Sequence, residues 1–572
     1  MMRRWLWLLQ PVLIVIAVVT ALGGPRRDWR HPLSLSEGVP FTLAHAKGTL
    51  ETGWWWHNPA LAAPSAYDGV LLLDPANVSQ GIVRTVGMAV HGVAACVNAS
   101  WLLLLVLAGA ASAWAMTSVG VSEVGAWASG VLFALTPFAL YHHVSELSLT
   151  PFLVPFGAVT ALALASGKAA QASRRTWLAW LCGDLLLAVD DPTYAMLGAA
   201  LIAVGGVAGA MRARRTVLAA VGGAIAVAML AVVWLNGAPA RAAWAREGRP
   251  PATQHRVVDA ERYALKIRQL VTPVPGHWFP PFRAWAALDT RAGFPSETAN
   301  VGSRLGLIAS LGFVGLLAVW LVPTLASSWK EDEVVWAAAR LTAVAVLIAT
   351  VGGLGSVWSE LVSPSLWFYT SVTPFVAWLA LVAVALRFDA WPTTVAWRRA
   401  TAWAVILLLG VSDQLVALRP LVAASTGTAS AMSELQALVD QLEPRLPAGA
   451  MVLQLPIRPY PDDPGIAQLR PFDLFRPYLV SRSLRWSYPA LSRAQVQQHD
   501  ALAALPASAV PAWAARQGFA AILVDRRGYD DNGDAIVATL TGALNAGPAL
   551  ARTDRYLALD LRLVRVALES HP

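Results

Sequence analysis

Three polar stretches of this sequence bring together side chains that could move a proton or grip an anion. The first, residues 36–74, carries Glu37, His45, Lys47, Glu51, Trp54, Trp55, Trp56, His57, Asn58, Asp68 and Asp74. Glu37 opens a segment in which Ser36 reads as a helix N-cap, Pro40 sits early in the helix and Gly53 ends it. Phe41, Ala44 and Leu50 then face inward. An acid in that first turn either suits the helix dipole or is functional. The second stretch, YHHVSELSLTPF (141–152), puts His142 and Glu146 four apart, as are Tyr141 and Ser145, so each pair shares a face if the segment is helical. His142 and Glu146 form either half of a metal site or a hydrogen-bonded cap. The third, ERYALKIRQLVTPVPGHWFPP (261–281), places Arg262, Lys266 and Gln269 on one helical face and Tyr263, Ile267 and Leu270 on the other. That pattern predicts an amphipathic helix on the bilayer surface. With Arg268 nearby, its cations serve anionic headgroups in general or the phosphate of one particular lipid.

The elements that must position these groups are lipid-soluble. Of 572 residues 56% are hydrophobic and 14% charged, and the mean hydropathy is +0.52, which excludes an ordinary soluble domain. The fold class is an all-α polytopic membrane domain. Apolar segments near 5–22, 99–118, 124–140, 149–166, 177–189, 193–211, 216–235, 305–323, 334–351, 367–386 and 400–418 give about eleven transmembrane helices. The first is read as a retained anchor, being long for a signal core.

Lys and Arg settle the orientation. With the N-terminus inside, cytoplasmic segments hold Arg3 and Arg4, then Lys168, Arg174 and Arg175, then Arg212, Arg214 and Arg215, then Lys330, then Arg387, Arg398 and Arg399. The short loops on the other face, 141–148, 190–192 and 352–366, hold none, as the positive-inside rule requires. The long loops 23–98 and 237–304, and everything after 419, are then extracytoplasmic. The net charge of +8 fits basic cytoplasmic loops, not nucleic acid; no basic–aromatic tract or zinc spacing points to a nucleic-acid partner. Two distant cysteines, Cys96 and Cys182, define neither a disulfide framework nor a metal site.

The expected domains are 1–419, a membrane domain with its two long outer loops, and 420–572, a small C-terminal extracytoplasmic α/β domain. In the latter, 451–457 and 520–525 read as buried strands, 494–517 and 532–546 as helices, and 552–562 as a last strand. It has no phosphate loop, nucleophile elbow or Cys/His cluster, so support or recognition is expected of it. Most of the 26 tryptophans suit interfacial belts. Trp54–Trp56 instead form an aromatic run in a polar loop, fit to stack on a sugar or cap a cavity.

The order of segments resembles the GT-C superfamily of integral-membrane glycosyltransferases, and more closely bacterial sugar translocase or phosphoglycerol-transferase-like membrane proteins. The resemblance rests on an acid after the first span, GWWWHNPALAAP, YHHVSELSLTPFLVPF, YALKIRQLVTPVPGHW, GGLGS (352–356), SDQ (412–414), MVLQLPIRPYP, LRWSYP and GFAAILVDRRGY. Such proteins typically have Asp after Gly where this chain has Glu37 after Ser36, and Arg and Gly where it has Val144 and Ser145. The resemblance implies an inverting sugar transfer from a polyprenyl-phosphate-linked donor to a glycan or lipid acceptor at the outer face of a bacterial cytoplasmic membrane. It assigns Glu37 as general base. Lys47, Trp55, His57, Asn58, Asp68, His142, His143 and Glu146 are assigned to substrate, and Arg262, Lys266, Arg268 and His277 to the lipid phosphate. A divalent cation held by Glu37 with Asp68 or Glu146 is an option, and the cofactor is otherwise unknown. Two alternatives stand beside this: a lipid-linked sugar flippase, which needs charge within its spans, and a non-catalytic cell-envelope assembly protein.

Overall fold

A computed structural model describes residues 2–36, 38–72, 77–291, 301–321, 332–391, 396–461, 463–544 and 549–562. Glu37 and Asp74 lie outside the described residues. Helices run over Met2–Ala21 (α1), Val39–Thr52 (α2), Val78–Gly87 (α3), Val93–Ser118 (α4), Glu123–Ala134 (α5), Pro137–His142 (α6), Val154–Ser166 (α7), Arg174–Asp190 (α8), Pro192–Ala213 (α9) and Thr216–Asn236 (α10). Further apolar helices follow at Leu307–Leu321, Glu333–Ala349, Thr373–Asp389 and Ala396–Gln414. All eleven expected apolar segments are therefore helical. Among the described residues, seven helical stretches are long and apolar enough to cross a membrane. The helices at the expected 5–22, 177–189, 305–323 and 334–351 are not among these seven, so seven spans are supported outright.

Local chemistry explains these boundaries. Asp191 caps α9, accepting from the Tyr194 amide at 2.8 Å, with Pro192 at the first helical position. Pro137 has no amide to continue α5, and the chain restarts there as α6. Helices α7 and α9 touch backbone to backbone. A Cβ on Gly205 would stand 2.4 Å from the Ala161 carbonyl oxygen, so only glycine permits the approach that drives packing in lipid.

Outside the bundle, two short strands, His57–Asn58 (β1) and Tyr67–Asp68 (β2), pair antiparallel. A five-stranded sheet near the C-terminus uses Met451–Leu455 (β3), Arg485–Trp486 (β4), Ala521–Asp525 (β5), Ala551–Arg552 (β6) and Tyr556–Asp560 (β7) in the order β4-β3-β5-β7-β6. β3 and β5 are parallel and β5–β7 antiparallel. β5 is buried along its whole length, which is why it reads as an unbroken apolar run. The expected helix over 494–517 is two helices, Arg493–Ala503 and Val510–Arg516, because Pro506 and Pro511 interrupt it.

The boundary expected at 419/420 does not separate two cores. Ala44, Trp55, Leu61 and Tyr67 of the first outer loop share one apolar core with Leu438, Val452, Phe475 and Trp486. The loop also pairs with the edge of the sheet: the Trp486 amide donates to Ala60 O at 2.8 Å, and the Ala63 amide to Trp486 O at 2.9 Å. The sheet region thus builds the wall against which the first polar stretch folds.

Candidate functional site

Helix α2 begins two residues later than expected. The Ser36 hydroxyl is taken by Ser34, and Gly38 occupies the N-cap position. Gly53, with φ 87°, ends the helix as expected. Two contacts fix the start of α2 beside the second polar stretch. The Thr42 hydroxyl donates to Ser145 O, and a Cβ on Gly38 would stand 3.2 Å from that same oxygen. The C-terminal flank of position 37 is therefore held near Ser145. Between α2 and this stretch lies a cavity of about 130 Å³ lined by Phe41, Thr42, His45, Trp55, Ser145 and Glu146, among others.

Glu146 is the acid of that cavity. The segment is not a straight helix: α6 stops at His142 and His143 turns at φ 28°. The expected pair forms nonetheless, with His142 Nδ1 2.9 Å from Glu146 Oε2. Surrounding protein pulls the Glu146 carboxyl upward, but the hydrogen bond and charge of His142, with His143 behind, more than offset this. Its pKa stays below the usual carboxylate range, so the acid is ionised at neutral pH. His143 is buried and its Nδ1 accepts from the Ser145 amide at 3.2 Å. It shapes the turn.

The third polar stretch departs from expectation. It is not one amphipathic helix but two short ones, Val257–Arg262 and Ile267–Val271. The break arises because Leu265 leaves to donate its amide to Ala349 O at 2.7 Å. Ile267 is consequently exposed and Gln269 buried, the reverse of the predicted faces. Arg262 is exposed, and Lys266 folds back to donate to Arg262 O at 2.8 Å. Arg268 pairs with Asp289, whose other oxygen accepts from Arg304 at 3.0 Å. Burial lowers the Arg304 pKa to about 10, with Tyr141 nearby favouring its charge, so this cationic cluster abuts α6. His277 is committed at both nitrogens. Its Nδ1 accepts from the Phe279 amide at 2.9 Å, which places the proton on Nε2, 3.1 Å from Asp413 Oδ1. It pins the outer loop to SDQ, where Asp413 also accepts from the Leu307 amide at 2.6 Å, and is not free for a lipid phosphate.

Several residues expected at the substrate are placed elsewhere. Lys47 is buried and donates to Tyr478 O at 2.6 Å and to Ser481 O, 3.5 Å from Glu51. Burial depresses its pKa more than Glu51 restores it. Asn58 donates to the Tyr478 hydroxyl at 2.8 Å. Both side chains fasten the outer loop to the sheet region. Lys47→Met should therefore lower stability by about 2–3 kcal/mol, since two buried carbonyls lose a charged donor. Thermal unfolding in detergent measures it, and an unchanged midpoint would remove this role. Trp55 is not an exposed platform. It packs on His45 with ring centroids 4.9 Å apart and against Gly69, where a Cβ would come within 2.4 Å of the indole. His57 and Asp68 line a different cavity with Ser65, Glu247 and Gln495, so Asp68 cannot join Glu146 in one cation site. No group of three or more His, Cys, Asp or Glu side chains converges to hold a metal among the described residues.

No protein-family model matches the chain, and no curated protein sequence matches it. Solved structures do. ArnT from Cupriavidus metallidurans bound to undecaprenyl phosphate aligns over 97% of each chain at 12% identity with a TM-score of 0.51. The chain shares the overall fold of this ArnT. Arabinofuranosyltransferase AftD from Mycobacteria covers 98% of this chain and 40% of its own, at 14% identity and a TM-score of 0.49. The archaeal oligosaccharyltransferase AglB from Archaeoglobus fulgidus covers 92% and 69%, at 10% identity and 0.45.

One residue of the cavity beside α2 lay outside the expected site. His45 is buried, with Nε2 2.9 Å from the Tyr67 hydroxyl, which in turn lies 3.4 Å from that of Tyr460. Its place in the 36–74 stretch was legible, but nothing in the spacing aimed it at Glu146. Burial pushes its pKa down to about 3, so the folded chain refuses a proton that the unfolded chain accepts below about pH 6.5. The folded pKa is depressed, so stability is full above that pH and declines below it, by about 2 kcal/mol on reaching about pH 5. The unfolding midpoint should fall over this window and His45→Gln should flatten the fall. A flat wild-type profile would contradict a neutral buried His45.

Proposed function

We propose that this chain is a membrane glycosyltransferase that moves a sugar from a polyprenyl-phosphate-linked donor to a glycan or lipid acceptor at the outer face of a bacterial cytoplasmic membrane. One observation carries the reading: a small cavity in which the ionised Glu146 faces α2, whose N-cap Gly38 directly follows position 37. A lipid-linked donor is too apolar to leave the bilayer, so its transfer needs acids at the ends of the helices. Likeness to the fold of an undecaprenyl-phosphate-bound ArnT supports the same class.

Glu37 takes the proton of the acceptor hydroxyl as that oxygen attacks the anomeric carbon in line, and the sugar–phosphate bond breaks with inversion. Glu146, kept ionised by His142, favours positive charge developing on the sugar ring. The leaving phosphate gathers negative charge on the side of Lys266, Arg268 and Arg304. The N-terminus is cytoplasmic in this arrangement and the sheet region extracytoplasmic. A divalent cation held by Glu37 with Glu146 or Asp68 would neutralise part of the charge on the leaving phosphate.

Purified protein in liposomes, given a panel of polyprenyl-phosphate sugars and glycan acceptors, tests the reading. Bond cleavage with an inverted anomeric product is expected. Headgroup movement across the bilayer without cleavage would replace it with a flippase, and neither activity would leave an assembly protein.

A further inference from the structure

A second, larger cleft borders the same stretch from the other side. Its volume is about 940 Å³, and it runs between Leu35–Ser36, the helix Thr428–Leu442 and the loop 464–471 of the sheet region. The charges that line it are unevenly satisfied. Glu434 already accepts from the Thr553 hydroxyl and the Arg555 amide, each at 2.8 Å. Asp473 is buried between Arg555 and Arg476, at 2.9 and 2.7 Å. The cations are in surplus. Arg470 and Arg527 are exposed, and no side-chain partner holds either guanidinium among the described residues. Arg476 is only 6% exposed, yet its Nε has no hydrogen-bond partner. That nitrogen is shielded from the cleft, so Arg476 lends the wall positive charge while Arg470 and Arg527 offer the open donors.

The remaining lining is mixed, with Thr426, Thr428, Ser430 and Gln468 offering donors and acceptors beside Leu35, Ile466 and Leu469. The polar groups suit the hydroxyls of a sugar and the apolar ones the faces of its ring. We infer that this cleft binds a saccharide carrying a negative charge, either phosphate or carboxylate, through Arg470, Arg476 and Arg527. Its role as the acceptor subsite rests on the proposed transferase reading, because the cleft reaches Ser36, next to the proposed base. The binding itself does not depend on that reading.

The test uses full-length protein in nanodiscs of zwitterionic lipid, with glucose 1-phosphate, glucuronate and uncharged glucose as probes in calorimetric titrations. The two charged sugars should bind about tenfold or more tightly than glucose, and Arg470→Gln/Arg527→Gln should weaken them by about tenfold or more while leaving the unfolding midpoint unchanged. Both substituted residues are exposed, so folding is not at stake, and Arg476 is left in place. Equal affinity for charged and uncharged sugars, or no response to the double substitution, would overturn the inference. Repeating the titration in nanodiscs of anionic phosphatidylglycerol separates a sugar from a lipid headgroup: retained binding supports the saccharide, and displacement would overturn it. Sugar transfer that proceeds without charged-sugar binding would sink this inference alone. Charged-sugar binding in a protein that transfers nothing would sink the transferase reading alone.

Discussion

Glu37→Gln should lower the rate of sugar transfer by roughly 10²- to 10⁴-fold, the usual worth of a positioned general base. Glutamine keeps the shape of the side chain and its hydrogen-bonding reach but cannot accept a proton. The loss should therefore fall on kcat, with donor binding nearly unchanged. Glu37→Asp should retain more activity than the glutamine variant, since a carboxylate remains and only its reach is shortened. The expectation depends on what surrounds position 37. Gly38 and Thr42 lie against Ser145 O on one side, and Leu35 O is held by Arg476 at 2.6 Å on the other. Steady-state kinetics in liposomes distinguish the outcomes. Equal rates for wild type and Glu37→Gln would remove Glu37 from the chemistry and shift attention to Glu146.

Arg555→Met should cost about 3–5 kcal/mol, the largest stability effect expected in the chain. Arg555 is buried between two carboxylates. Its Nη2 lies 2.6 Å from Asp525 Oδ2 and 2.9 Å from Asp473 Oδ2, and its Nε is 2.9 Å from Asp525 Oδ1. Removing the guanidinium strands Asp525 and leaves Asp473 with Arg476 alone, and a buried lone charge is far more costly than a missing pair. Burial already raises the Asp525 pKa against the pull of Arg555, so loss of the cation would drive that carboxyl toward its neutral form. A double substitution, Arg555→Met with Asp525→Asn, should recover part of the loss because one stranded charge goes with it. Tryptophan fluorescence during thermal unfolding reads both. A drop below about 1 kcal/mol for the single variant would mean that water reaches the network.

The contrast between what the residues announced and what they hid has a physical basis. Helices in lipid satisfy their backbone locally, so their apolar runs are visible without knowledge of the fold. The same holds for β3 and β5, buried runs whose neighbours need not be known to see them. The His142–Glu146 pair is also local, and survived even though its helix did not. What stayed hidden is settled across long separations. Leu265 leaves its helix for Ala349, which turned the predicted amphipathic face around. His277 is claimed by Asp413, and Lys47 by carbonyls more than 400 residues away. Trp55 looked exposed because the surfaces that cover it belong partly to segments remote in the chain. Spacing cannot report a partner it does not contain. The same limit explains why the cleft at Arg470 and Arg527 was invisible: each arginine is ordinary alone.

The bond between Arg476 and Leu35 spans 441 residues of sequence and sets a clock on biosynthesis. At roughly 5–20 residues per second the ribosome needs roughly 20–90 s to travel from one partner to the other. Through that interval the first polar stretch exists without the wall that shapes it, its aromatic residues uncovered. A nascent chain stalled just before Arg476 would own nearly all of its apolar helices and yet no finished site.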